Sequence, residues 1–292
     1  MKKRIISGVI MGAIVALVLI FGLTISNVII TVFVAAIAAM AVWELVFNAL
    51  GVKWLPFQII PMAYTTVSVW LISRWLENTL RMQEFFSGAG SAMELDSDKI
   101  NIPVVIALIT VVFFVAMAVL TLIKQSELDL TRIFALATMP LFISFAFATL
   151  GSIITASDGI YYLLLVLNFS SVCDMGAYFV GVSMGKTKLC PNISPKKTVE
   201  GALGGIVSSV IVSLVITLCF GHFVKILPVV LLTIPLCAAG MVGDLFASII
   251  KRKVGIKDYG DLIPGHGGVL DRADSILFIS PLVYGLVFLG AI

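Results

Sequence analysis

Nine runs of mostly apolar residues, each close to 20 long, decide what this chain can fold into. They lie at about 5–25, 27–48, 55–76, 102–123, 132–154, 159–182, 202–221, 226–250 and 274–291. A helix needs about 20 such residues to cross the hydrocarbon of a bilayer. The spacing predicts an all-α, polytopic integral membrane protein with about nine transmembrane helices. Composition agrees: 60% of the 292 residues are hydrophobic and only 12% are charged, whereas about a quarter are charged in soluble domains. A soluble fold would lack the polar residues to cover its surface. The opening Met-Lys-Lys-Arg and the apolar run behind it have the outline of a signal peptide. The run is too long for a signal core and no small-x-small cleavage site follows, so a retained first helix is expected.

Charge sets the expected topology. With the N-terminus inside and nine crossings, fifteen of the nineteen Lys and Arg residues fall inside. Arg74, Arg81, Lys99 and Lys225 fall outside. The positive-inside rule therefore predicts an N-in, C-out arrangement. Residues 77–101, acidic and bearing Gly and Ser, read as an external connector. The net charge of +3 carries no signal for a nucleic-acid partner. Cys173, Cys190, Cys219 and Cys237 form no C-x-x-C pair and read as small packing residues. Residues 1–155 are expected to be a scaffold of transmembrane helices that could carry dimer contacts, and 156–292 the catalytic region.

The polar residues of the second half are concentrated. Asp174 and Asp244 lie in apolar runs, where a carboxylate costs about 2.5–3.5 kcal/mol and must face protein, water or a cation. Glu44, in the second run, reads equally as an interfacial acid, a partner for a neighbouring helix or a functional group. Residues 183–200 are basic, and Pro191 and Pro195 forbid continuous helix there. Ser194-Pro-Lys196-Lys197-Thr198 leads into a Gly-rich helix start at Gly201, whose amides could hold an anion. Gly185-Lys186-Thr187 is not a P-loop, because Val180 stands where the first glycine is required. Asp244, Ser248 and Lys251 are spaced i, i+4, i+7 and share a helix face. Arg252 adds a fork suited to phosphate. Asp271 and Asp274, three apart, share a face at the start of the last helix, where acids also suit the helix dipole.

Three aspartates at neighbouring helix ends need cations. Magnesium fits, with one or two carboxylates and the other positions filled by water and phosphate. Basic residues around such a site read as phosphate clamps. The expected chemistry is phosphoryl or nucleotidyl transfer, which works through positioning and charge neutralisation. The residues that carry it are Asp244, Lys251, Arg252, Asp271 and Asp274. Asp244, Asp271 and Asp274 are expected to hold Mg²⁺, with Asp174 as a further candidate and a second cation left open.

Ser248 to Asp274 reads S-x-I-K-R-x4-K-D-x-G-x2-I-P-x-H-G-G-V-x-D-R-x-D. This stretch resembles the signature of the phosphatidate cytidylyltransferase (CDP-diacylglycerol synthase) family. Asp174-Met-Gly-Ala-Tyr-Phe and Ser194-Pro-Lys-Lys-Thr-Val-Glu-Gly201 are also similar to that family's patterns. The resemblance is strong over about 160–292 and weak before it. Ala273, Ala247, Met175 and Val199 depart from the usual residues without removing a signature charge. The resemblance implies transfer of CMP from CTP to phosphatidate, giving CDP-diacylglycerol and pyrophosphate, with a divalent metal. It implies substrate contacts at Ser194, Lys196, Lys197, Ser248, Lys257, His266, Gly267, Gly268 and Arg272. His266 is expected to touch phosphate or base, or to fix its loop, rather than to move a proton. His222 is expected to be unrelated. The resemblance also suggests a homodimer, while the N-terminus and length fit a bacterial inner membrane and the charge count is expected to place the site toward the cytoplasm.

Two other functions compete. A CDP-alcohol phosphotransferase needs D-G-x2-A-R-x8-G-x3-D-x3-D, and no D-G-x2-A-R precedes Asp271 here. An ion or proton transporter could use Asp174 and Asp244, but the polar residues sit at one face rather than along a path and no inverted repeat is visible.

Overall fold

The computed structural model describes residues 2–86, 101–124, 128–191, 193–262 and 267–292, without the side chains of 2–6 and 84–86. Inside hydrocarbon every backbone amide must find a partner in its own segment, which selects helix. The helices are α1 (Lys2–Thr24), α2 (Asn27–Glu44), α3 (Leu55–Phe86), α4 (Ile102–Ile123), α5 (Leu130–Ile154), α6 (Gly159–Leu167), α7 (Cys173–Met184), α8 (Val199–Cys219), α9 (Ile226–Lys253) and α10 (Leu270–Phe288). A π-helical turn at Leu45–Ala49 extends α2, and another at Asn168–Val172 joins α6 to α7. Each apolar run of the sequence thus has its helix among the described residues. Eight are long and apolar enough to cross a membrane. The ninth, α10, spends its first turns on Asp271, Arg272 and Asp274, which leaves Ser275–Phe288 as its apolar length. The protein is an all-α, multi-pass membrane protein.

The chain divides into two compact units, residues 1–156 with 258–271, and residues 157–257 with 272–292. In the first unit, α2 presents a face of small residues. Ala35, Ala38, Ala41 and Val42 are buried, and α2 packs on α3 and α5. Hydroxyls tie α3 to α5: Ser73 Oγ donates to the Ala148 carbonyl and Ser152 Oγ to the Ser73 carbonyl, both at 3.3 Å. Tyr64 stacks on Phe113 at 4.2 Å between α3 and α4. Helix α3 outruns its apolar stretch, so residues 77–86 are helical rather than part of a connector. Leu, Arg, Met and Gln there are good helix formers, and Thr155 Oγ1 donates to Glu77 at 3.1 Å. Residues 87–100 of that expected connector lie outside the described residues.

In the second unit, α7 and α8 pack closely through small residues. A polar seam runs through the helices behind them. Asn168 Nδ2 donates to the Ser209 carbonyl at 3.0 Å and to Ser213 Oγ at 2.8 Å, and Ser213 Oγ meets Thr233 Oγ1 at 2.9 Å. The basic segment between α7 and α8 is an antiparallel hairpin, β1 (Lys188–Cys190) and β2 (Ser194–Thr198), pairing Lys188 with Thr198 and Cys190 with Ser194. The sequence reading excluded continuous helix here but did not foresee strands.

Candidate active site

The second unit holds a cavity of about 430 Å³, inside the range of small-molecule sites. Its polar lining is Asp174 from α7, Lys188, Lys196, Lys197 and Thr198 from the hairpin, and Asp244 from α9. Tyr178, Val182 and Met241 supply apolar wall. Three lysines against two carboxylates make a polar pocket with an excess of positive charge.

Each element has a local reason to present these groups. Thr198 ends β2 and caps α8, its Oγ1 accepting from the Gly201 amide at 3.1 Å. Glu200 accepts from the amides of Lys186 and Thr187 at 3.1 Å, closing the base of the hairpin. The amide of Gly201 is therefore engaged by the chain itself, and the lysine side chains are what the hairpin offers an anion. Arg252 binds the hairpin turn through the Ile193 carbonyl. Ser194, at the start of β2, is paired with Cys190.

Helix α9 runs unbroken through Asp244, Ser248 and Lys251, so the three share its face as the spacing required. The Lys197 ammonium sits against the Asp244 carboxylate, each side chain 25% exposed. Asp174 lies in the field of Lys197, Asp244 and Arg272. Asp274 lies in the field of Asp244, Lys251 and Asp174. Gly243 makes this closeness achievable, because a Cβ there would stand 2.7 Å from the Asp274 carbonyl and 2.8 Å from the Phe278 ring. The structure thus brings together Asp174, Lys197, Asp244, Lys251, Arg272 and Asp274. Lys196 lines the same cavity, and Lys257 is exposed beyond the end of α9.

Among the described residues no group of three or more His, Cys, Asp or Glu forms a ready-made metal cage. The donors at hand are hard carboxylate oxygens, and Asp244 already carries a cation in the Lys197 ammonium. That donor chemistry fits Mg²⁺, which takes one or two carboxylates and leaves its other positions to water and phosphate.

The remaining signature residues are in the first unit. Asp271 Oδ2 accepts from the amides of Tyr259 at 2.7 Å and Gly268 at 3.0 Å. Gly267 turns the chain with φ of +84°, a conformation that favours glycine. His266 lies outside the described residues. Sequence reasoning left Glu44 open, and the structure gives it partners. It is fully buried and accepts from the amides of Val269 and Leu270, both at 2.9 Å. The cost of a carboxylate in an apolar run was the signal that it needed them.

In this multi-pass helical protein, helix ends and a hairpin converge on a pocket of lysines and aspartates. The sequence profile of the cytidylyltransferase family matches residues 2–289, and the chain belongs to that family. A Bacillus subtilis protein named phosphatidate cytidylyltransferase is 32% identical over 291 residues, 99% of this chain and 98% of that one. Proteins of the same name from Staphylococcus haemolyticus and Staphylococcus aureus are 46% and 43% identical over 129 residues, 44% of this chain. Those alignments span about half the length of the Staphylococcus proteins (50%).

Proposed function

We propose that the protein is a phosphatidate cytidylyltransferase, transferring CMP from CTP to phosphatidate to give CDP-diacylglycerol and pyrophosphate. The observation that carries this reading is the pocket in which three lysines face Asp174 and Asp244, in a chain that matches the family from residue 2 to 289. A triphosphate needs cationic groups to receive it, and a diacyl lipid needs a protein that resides in the bilayer.

The reaction is an in-line displacement at the α-phosphorus of CTP. A phosphatidate oxygen forms the new P–O bond, and the bond to the β-phosphate oxygen breaks, releasing pyrophosphate. The second pKa of a phosphate monoester is about 6, so the nucleophile is ionised near neutrality and needs no strong base. Lys188, Lys196 and Lys197 receive the phosphates from the hairpin side. Lys197 leaves Asp244 for a phosphate oxygen when CTP enters. Lys251, Arg252, Lys257 and Arg272 share the charge of phosphatidate and of the departing pyrophosphate, and Ser248 adds a hydrogen bond.

Asp244 and Asp274, with Asp174 beside them, are the residues that would hold Mg²⁺, which neutralises charge developing on the phosphates. Asp271, the other expected ligand, also accepts from two backbone amides through Oδ2 and so shapes the loop before the last helix. The lysine and arginine distribution supports an N-in, C-out arrangement in a bacterial inner membrane, with the pocket toward cytoplasmic CTP. A homodimer is part of this reading, and light scattering in detergent tests it.

The decisive experiment is CTP-dependent pyrophosphate release by the purified protein, with and without phosphatidate. Release that requires both substrates and a divalent cation is expected. Turnover without phosphatidate, or none with it, would overturn the assignment.

A further inference from the structure

We propose that Glu44 and Asn48, about 200 residues before the signature, are positioning residues for the proposed transfer. They clamp both ends of segment 259–270 and so fix where the last helix begins. The inference rests on the cytidylyltransferase reading for its activity readout.

The contacts all lie within the first unit. The first N–H groups of any helix lack intrahelical acceptors. In α10 the Leu270 amide and the preceding Val269 amide are taken by the Glu44 carboxylate, at 2.9 Å each. A negative charge at a helix N-terminus is also favoured by the dipole. One turn further along the second helical rod, Asn48 Nδ2 donates to the Tyr259 carbonyl at 2.6 Å. Asp271 Oδ2 joins the two ends, accepting from Tyr259 and Gly268.

The signature glycines bear on the same point. A Cβ at Gly260 would stand 2.8 Å from Glu44 Oε1, and a Cβ at Gly268 would collide with the same carboxylate. Glycine at both places gives the buried acid its seat. Gly268, expected to touch substrate, thus has a second purpose, and Gly260 shares it. They let a carboxylate from another helix reach the backbone that leads into Asp271.

The test compares full-length wild type with Glu44→Gln and Asn48→Ala, purified in detergent. The readouts are kcat, KM, melting temperature and hydrogen exchange of peptides covering 268–271. Glutamine keeps the size of Glu44 but turns a donor toward one of the two amides. A misplacement of about 1 Å can cost on the order of a hundredfold in rate, so Glu44→Gln is expected to lose kcat by at least about tenfold. KM for phosphatidate should stay within about twofold, and exchange at 268–271 should quicken. A variant that melts earlier yet turns over at the wild-type kcat would mark Glu44 as structural only and overturn the proposal. Unchanged exchange would overturn it too. If Glu44→Gln does not fold, Asn48→Ala carries the test, with lower kcat and faster exchange expected and wild-type values for both sinking the idea. An inactive wild type would defeat the reaction reading alone, because the exchange measurement judges the clamp without turnover.

Discussion

Asp244 and Lys197 form the pair on which the pocket turns. Each side chain is a quarter exposed. Asp244→Asn keeps shape and folding but removes the charge, and kcat for pyrophosphate release is expected to fall by about 100-fold or more, as when a preorganised charge-stabilising group is lost. A wild-type kcat in the Asp244→Asn variant would exclude Asp244 from the chemistry. Lys197→Ala deletes a cationic donor to phosphate, worth roughly 1.5–3 kcal/mol. Its expected signature is a loss of kcat/KM carried mainly by KM for CTP, read from initial rates at varied CTP. An unchanged KM would leave Lys197 as a structural counter-ion. Both residues were legible in the sequence, for different reasons. Asp244 stood out as a carboxylate in an apolar run, and Lys197 as part of a basic, proline-broken segment. Their direct pairing was not legible, because nothing local links a strand residue to a helix 47 positions later.

The nine apolar runs announced their helices because span length is a hard constraint in lipid. The hairpin gave no such signal. Its strands have three and five residues, carry Pro195 and do not alternate in polarity. It persists because Glu200, Thr198 and Arg252 hold it at its base and turn. Glu44 shows the same limit from the other side. Its need for a partner was visible, but the amides that meet it are 225 and 226 positions away. Close approach of α9 and α10 depends on the small residues Gly240 and Gly243. That approach can be tested directly. Gly243→Leu places a branched side chain where a Cβ already meets the Asp274 carbonyl and Phe278. Overpacking of this kind costs about 1–3 kcal/mol. A lower melting temperature together with lost turnover is expected in detergent, and a variant with both unchanged would mean that α9 and α10 do not need this close approach.

Large apolar side chains are exposed along every span, such as Leu108 at 60%, Val112 at 66% and Ile211 at 58%. On a water-soluble protein such a surface would drive association, and here it is what lipid covers. Helix α1 is the extreme case, with only 6% of its apolar window buried. The proposed orientation follows from charge alone and is open to labelling. After replacement of the four native cysteines, Lys225→Cys should react with an impermeant maleimide added outside spheroplasts. Lys196→Cys should react only after permeabilisation, and the opposite pattern would invert the topology.

The path of the chain through its two units bears on synthesis. The first unit takes residues up to 156 and then waits for 258–271, roughly a hundred residues later. At elongation rates of about 5–20 residues per second, that interval is on the order of 5–20 s. Throughout it, Glu44 is already in the nascent second helix while the amides of Val269 and Leu270 do not yet exist. The half-made protein must hold that acid without these partners until the ribosome delivers them, so Glu44 gains its final contacts only near the end of translation.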